Sequence, residues 1–179
     1  MVCARSDGWI HCAPSMLSSL TRYAVAIAIA VTAAACGDKI GDPCALSTEC
    51  SAQGDRICID SNNGGYCTVP GCDHDTCPEE ATCVRFFALG ETNQTCTQAS
   101  EDQGTDDCTP DEICTLDGFC VPRTAEVRFC MLKCESNDDC REGYECRDEA
   151  LMIEHGGEPV PRPGESVQDA ITPFCATAP

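Results

Sequence analysis

The chain has 179 residues, with 30 acidic against 11 basic side chains, a formal net charge of −19 and 19 cysteines. From Cys36 to Pro179, 144 residues, Leu, Ile, Val and Phe supply only 22, beside 29 acidic and 9 basic groups, a net charge of −20. So little apolar content under so much charge excludes a conventional hydrophobic core, and strong negative charge without a basic stripe excludes nucleic-acid binding.

The first predicted element is a signal segment over 1–35. Residues 23–35 form an apolar run of 13 preceded by Arg22. That is too short for a membrane-spanning helix and matches a signal core. Initiation at Met16 would leave 20 residues before Cys36, so Met16 is the expected start, with Cys3 and Cys12 upstream of the translated chain. Residues Ala34-Ala35-Cys36 form a small-residue box ending in cysteine. Here the chain resembles bacterial lipoproteins, whose cysteine at this position is acylated and becomes the new N-terminus. The resemblance implies lipidation of Cys36 and a tether over 36–43. Parity agrees with it: 17 exported cysteines cannot all pair, and removing Cys36 leaves 16. Cleavage at the same bond without acylation, leaving a plain secreted chain, is the competing expectation.

Those sixteen fall into two successive octets. Module 1 (44–96) holds Cys44, Cys50, Cys58, Cys67, Cys72, Cys77, Cys83 and Cys96. Module 2 (108–175) holds Cys108, Cys114, Cys120, Cys130, Cys134, Cys140, Cys146 and Cys175. The intervening residues number 5, 7, 8, 4, 4, 5, 12 and 5, 5, 9, 3, 5, 5, 28. The best-matched step sets Asp75-Thr-Cys-Pro-Glu-Glu-Ala-Thr-Cys83 against Asp138-Asp-Cys-Arg-Glu-Gly-Tyr-Glu-Cys146. Such density in an exported chain reads as a disulfide framework in which cross-links replace the missing core. The expected fold is small and disulfide-rich: two tandem eight-cysteine modules of short strands, turns and irregular loops, with little helix apart from the signal. Pairing is expected to stay within each octet, the 105 connectivities of eight cysteines remaining open.

Residues 97–107 (TQASEDQGTDD) read as an acidic linker between modules. The segment 147–174, with Gly156-Gly157 and three prolines, reads as a flexible insertion, a binding loop being the other expectation. The cysteine rhythm, Gly65-Tyr66-Cys67 and the 77–83 motif resemble cysteine-rich lipoproteins of myxobacteria and EGF-like or Dickkopf-like modules. That resemblance implies location and architecture, not an activity.

No cofactor is expected. Zinc would want Cys-x-x-Cys pairs, which are absent, and only His74 and His155 follow the signal. No Gly-x-Ser-x-Gly or glycine-rich phosphate loop occurs, so no enzyme is expected. Carboxylates cluster at Asp73/Asp75, Glu101/Asp102/Asp106/Asp107 and Asp138/Asp139. Weak divalent-cation binding there is one expectation and plain acidic surface the other. The leading functional expectation is a lipid-anchored binding or structural module of the cell envelope, meeting a membrane through Cys36 and an unknown protein or surface partner. A protease-inhibitor-like module is the alternative, with Arg85 and Arg147 as cleavage-site mimics.

Overall fold

The computed structural model of the chain describes residues 2–6, 9–13, 39–87, 94–98 and 107–179. The apolar run, Ala34-Ala35-Cys36 and residues 99–106 lie outside the described residues. The chain divides into two units, 1–36 and 37–179. In the first, β1 (Val2–Ser6) pairs antiparallel with β2 (Trp9–Ala13).

The second unit is a set of short antiparallel strands held by eight disulfides. Its elements in order are α1 (Ser47–Cys50), β3 (Ile57–Cys58), β4 (Cys67–Thr68), β5 (Ala81–Phe87), β6 (Glu112–Cys114), β7 (Cys120–Pro122) and β8 (Glu126–Leu132). Then come β9 (Tyr144–Arg147), α2 (Glu149–His155), β10 (Glu158–Pro159), α3 (Val167–Ala170) and β11 (Phe174–Thr177). The central sheet runs β10-β5-β8, and β3-β4, β6-β7 and β9-β11 form separate ladders.

The bonds are Cys44–Cys58, Cys50–Cys67, Cys72–Cys83, Cys77–Cys130, Cys96–Cys114, Cys108–Cys120, Cys134–Cys146 and Cys140–Cys175. Pairing therefore does not stay within each octet: Cys77–Cys130 and Cys96–Cys114 cross between the expected modules. The repeating unit is instead a tetrad in which the first cysteine bonds the third and the second bonds the fourth. There are four: 44/50/58/67, 72/77/83/130, 96/108/114/120 and 134/140/146/175. In each, the third and fourth cysteines face one another across an antiparallel pair: Cys58 and Cys67, Cys83 and Cys130, Cys114 and Cys120, Cys146 and Cys175. The third tetrad lies wholly inside the second, between Cys83 and Cys130.

The same local chemistry recurs in all four. The residue after the first cysteine donates its backbone N–H to the side chain of the residue before the second: Ala45 to Glu49 Oε2 at 2.6 Å, Asp73 to Thr76 Oγ1 at 2.8 Å, Thr97 to Asp107 Oδ2 at 3.2 Å and Glu135 to Asp139 Oδ2 at 2.8 Å. This turn places the first two cysteines for their crossed partners. A second turn leads into the third cysteine in three tetrads, with Ala81 N–H donating to Pro78 O, Glu112 to Thr109 O and Tyr144 to Arg141 O at 2.9–3.0 Å. The acidic residues Glu49, Asp107 and Asp139, each just before a second cysteine, are thus caps of a repeated turn. Thr97 and Asp107, the ends of the expected linker, are joined within one tetrad, and residues 99–106 between them lie outside the described residues.

Segment 147–174 is not a loose insertion. It folds as α2, β10 and α3, with β10 paired to β5 through Glu158 opposite Arg85 and Pro159 opposite Val84. Proline is compatible here because β10 is an edge strand and needs no second ladder donor.

The core uses cystine sulfur in place of missing aliphatics. Ile40, Tyr66, Val84, Met131, Met152 and Phe174 pack with Cys72, Cys83 and Cys130, all nearly inaccessible. Tyr66 stacks on Tyr144 with ring centroids 5.5 Å apart, and the Arg141 guanidinium lies 4.1 Å from the Tyr144 ring centroid and 5.8 Å from that of Tyr66. Arg141 also donates to Asn63 O at 3.0 Å and to Gly65 O, tying the first tetrad to the fourth. Gly65 has φ +71°, and a Cβ there would lie 1.8 Å from Cys44 O, so no other residue fits the turn that Arg141 grips.

Replacing Arg141 with Ala is expected to lower unfolding stability by about 2 kcal/mol through the lost carbonyl bonds and ring contacts. Lysine should restore only part, because a point charge cannot reproduce the planar fork. Urea midpoints of the oxidised proteins check this.

Candidate binding site

A polar cleft of about 490 Å³ lies beside the central sheet. Its floor includes Arg85 on β5, and its walls carry Arg128 on β8, Arg123 just before β8, and the turn at Asp73-His74. The fourth side is the strap 160–167, held to the sheet where Val160 N–H donates to Cys83 O at 2.9 Å. The strap turns at Pro163-Gly164, with Arg162 N–H donating to Glu165 Oε2 at 3.0 Å and Glu165 N–H to Arg162 O at 2.9 Å.

Charge in the cleft is highly organised. Arg85 is 4% exposed; its Nε donates to Glu158 Oε1 at 2.7 Å. Leu116 N–H donates to the other oxygen of Glu158 at 2.5 Å. Arg85 Nη2 lies 2.7 Å from the same Oε1, completing a buried ion pair. Burial pushes the Glu158 carboxyl above the usual range, with Arg85 and the Leu116 amide pulling it back. Arg128 donates from Nη1 to Asp73 Oδ1 at 3.2 Å and from Nε to Glu126. Arg162 grips Asp75 with two bonds, 3.1 and 2.8 Å, at an exposed position. Arg123 Nε donates to Pro110 O at 3.3 Å.

These contacts settle the places of several sequence-named residues. Asp73 and Asp75 do not converge on a shared cation site; each faces an arginine instead. The backbone amide of His74 lowers the Asp73 pKa, and the Arg162 guanidinium lowers that of Asp75. Asp139 is lowered by the Glu135 and Ser136 amides and Glu49 by those of Ala45 and Leu46. Groups with lowered pKa add stability above their unfolded pKa, near 4, and lose it as pH falls through their folded values. Glu158 runs the other way, its share lost as pH rises through its raised value. With six carboxylates lowered, Asp55 and Glu145 among them, against one raised, the urea midpoint is expected to fall as pH drops below about 4. Asp75→Asn should shallow that fall.

Arg85 and Arg147 are both buried, 4% and 6% exposed. Arg147 Nε donates to Glu145, and its two Nη groups to His155 O, Gly156 O and Thr177 O at 2.8–2.9 Å. Neither arginine is presented on an exposed loop, which removes the two residues on which the inhibitor expectation stood. His155 Nδ1 lies 2.7 Å from Glu145 Oε1, and His74 Nδ1 lies 3.2 Å from Asp73 Oδ1. Burial raises Glu145, but the bonds from His155 and Arg147 outweigh it and hold its pKa low. Among the described residues no thiol stands beside either pair, because the sixteen cysteines from Cys44 to Cys175 are all in disulfides. Sulfur atoms cluster where paired cystines cross, as at Cys72, Cys77 and Cys83, but a disulfide offers no thiolate to a metal.

Sequence reasoning missed the cleft. Arg85 and Glu158 are 73 positions apart and meet only through β10, and nothing local marks Gln98, Arg123 or Arg128 as neighbours. A count of basic residues shows their scarcity, not their convergence. Among the described residues no helix is long and apolar enough to cross a membrane. No family model, curated protein or solved structure matches the chain.

Proposed function

We propose that the chain is a lipid-anchored binding module of a bacterial cell envelope, in which crossed cystines hold a recognition cleft rigid. The observation that carries this reading is the cleft itself: in a segment with 29 acidic and 9 basic side chains, four of the nine line one depression. Two disulfides of the second tetrad, Cys72–Cys83 and Cys77–Cys130, fix the strands and turn that form it. Pre-organised side chains lose less entropy on binding, which favours a rigid frame for recognition. Small-residue spacing before Cys36 supports the anchor, since acyl chains would hold the module at a membrane surface without a spanning helix.

Expression of the full chain in a lipoprotein-processing bacterium tests the anchor. The mature protein should gain acyl mass at Cys36 and enter the detergent phase on Triton X-114 partition, and Cys36→Ser should move it to the aqueous phase. Aqueous partition of the wild type without added mass would sink the anchored form of this reading.

A further inference from the structure

We infer that Cys44–Cys58 is a reversible thiol–disulfide exchange site, opened by an external dithiol while the other seven bonds stay closed. This goes beyond the binding reading and depends on neither the acyl anchor nor the cleft. The starting observation is where the half-cystines lie. Of the sixteen cysteines from Cys44 to Cys175, eleven are buried, and Cys44, Cys58, Cys77, Cys96 and Cys140 are partly exposed. Three of these five bond a buried partner: Cys77 to Cys130 and Cys96 to Cys114, both partners at 0% exposure, and Cys140 to Cys175 at 2%. Cys44–Cys58 alone among the described disulfides is partly exposed at both ends.

Exchange chemistry selects for that property. An incoming thiolate attacks one sulfur and forms a mixed disulfide, and the other sulfur leaves as a thiolate with the bonding electron pair. The attacked sulfur has to be reachable. The departing thiolate has to be solvated, since apolar burial raises a thiol's pKa and slows its departure. Attack at Cys77, Cys96 or Cys140 would release a thiolate inside the protein, at Cys130, Cys114 or Cys175. Attack at either end of Cys44–Cys58 releases one at the surface. The second thiol of the dithiol then attacks the mixed disulfide. The dithiol ends as its own disulfide, and Cys44 and Cys58 have gained its electron pair and its two protons as thiols.

The opened site is placed to close again. Cys50 Sγ lies within 4.8 Å of both Cys44 Sγ and Cys58 Sγ, and its own bond to Cys67 crosses theirs. Cys50 and Cys67 are 1% and 0% exposed, so the crossing bond resists attack and keeps the β3-β4 ladder covalently tied. The freed residues also keep their backbone bonds: Cys44 N–H donates to Gly64 O at 3.2 Å and Cys58 N–H to Ser47 Oγ at 3.0 Å. Both thiols therefore stay near one another, a pre-positioned pair for re-oxidation.

Partial reduction of the oxidised full chain tests this, with dithiothreitol as the dithiol. Free thiols are first blocked with iodoacetamide. Aliquots taken during reduction are quenched in acid, alkylated with N-ethylmaleimide and mapped by mass after digestion. The first labelled species should carry maleimide on Cys44 and Cys58 only, forming at least about tenfold faster than any other labelled pair. When dithiothreitol is replaced by glutathione disulfide before alkylation, the pair should re-form and restore the original map. Cys44→Ser combined with Cys58→Ser should abolish the fast phase and leave the slower ones unchanged; the wild-type map decides the matter even where this variant fails to fold. The inference is overturned if the first labels fall on any other pair, if Cys67 is labelled in that first species, or if all sixteen cysteines become labelled together with no intermediate. Failure of the opened pair to re-form would overturn its reversibility.

Discussion

Replacing Cys77 and Cys130 together with alanine is expected to lower unfolding stability by about 4 kcal/mol, the largest effect of any single cross-link in the chain. Cys77–Cys130 spans 53 positions, the longest separation among the eight bonds. In the chain-entropy account the stabilisation grows with the logarithm of the loop closed, and a loop of that length corresponds to about 4 kcal/mol. Cys130 is also wholly buried on β8 opposite Cys83, so alanine leaves a small void in the core. The matched control is Cys108 with Cys120, separated by 12 positions, for which about 3 kcal/mol is expected. Guanidinium midpoints of the two double variants decide it. Equal losses would show that loop closure does not set the ranking.

Glu158→Ala is expected to cost about 3–5 kcal/mol, the range found when one partner of a buried ion pair is removed. The carboxylate accepts from Arg85 and from Leu116 N–H, so its removal strands a buried guanidinium and a backbone donor together. Glu158 and Pro159 are also the whole of β10. Loss of their anchor should release the strap that walls the cleft. Amide exchange should accelerate at Val160 and Leu116 while Cys83 and Met131 stay protected. The double variant Arg85→Leu, Glu158→Leu should recover most of the loss, because matched apolar side chains replace a buried pair at little cost. A loss below about 1 kcal/mol in the single variant would show the pair to be solvated.

Architecture was legible in the sequence wherever the signal was local. Cysteine density under scarce aliphatics implied a cross-linked frame of short strands, and the structure has one. The match between 77–83 and 140–146 was sound, because both segments run from the second to the third cysteine of a tetrad. Nesting was not legible. Reading cysteines in order aligned Cys96 with Cys175 and Cys67 with Cys130, whereas Cys96 opens an inserted tetrad and Cys130 closes the one around it. A count in chain order carries no information about which strand a cysteine faces.

The acidic residues taught a related lesson. Asp107 and Asp139 each precede a second cysteine, as do Glu49 and Thr76, and all four accept an amide from just after the first. That pattern was present in the sequence but visible only once the tetrad register was known. Prolines 159, 161 and 163 argued for loop, yet an edge strand and a turning strap accommodate them. Arg85 and Arg147 looked alike beside cysteines, and the structure buries both for different reasons: one pairs with Glu158, the other caps the end of α2. The cleft depends on contacts between residues far apart in the chain, and no local motif announced it.

Four crossed tetrads, the third nested in the second, build the frame that shapes the cleft. Disulfide mapping by mass spectrometry after non-reducing digestion tests it most directly. Nested tetrads require peptides joining Cys77 to Cys130 and Cys96 to Cys114, with the 44–96 and 108–175 halves still linked after cleavage between Thr97 and Asp107. Halves that separate without reductant, with every bond inside its own octet, would contradict it.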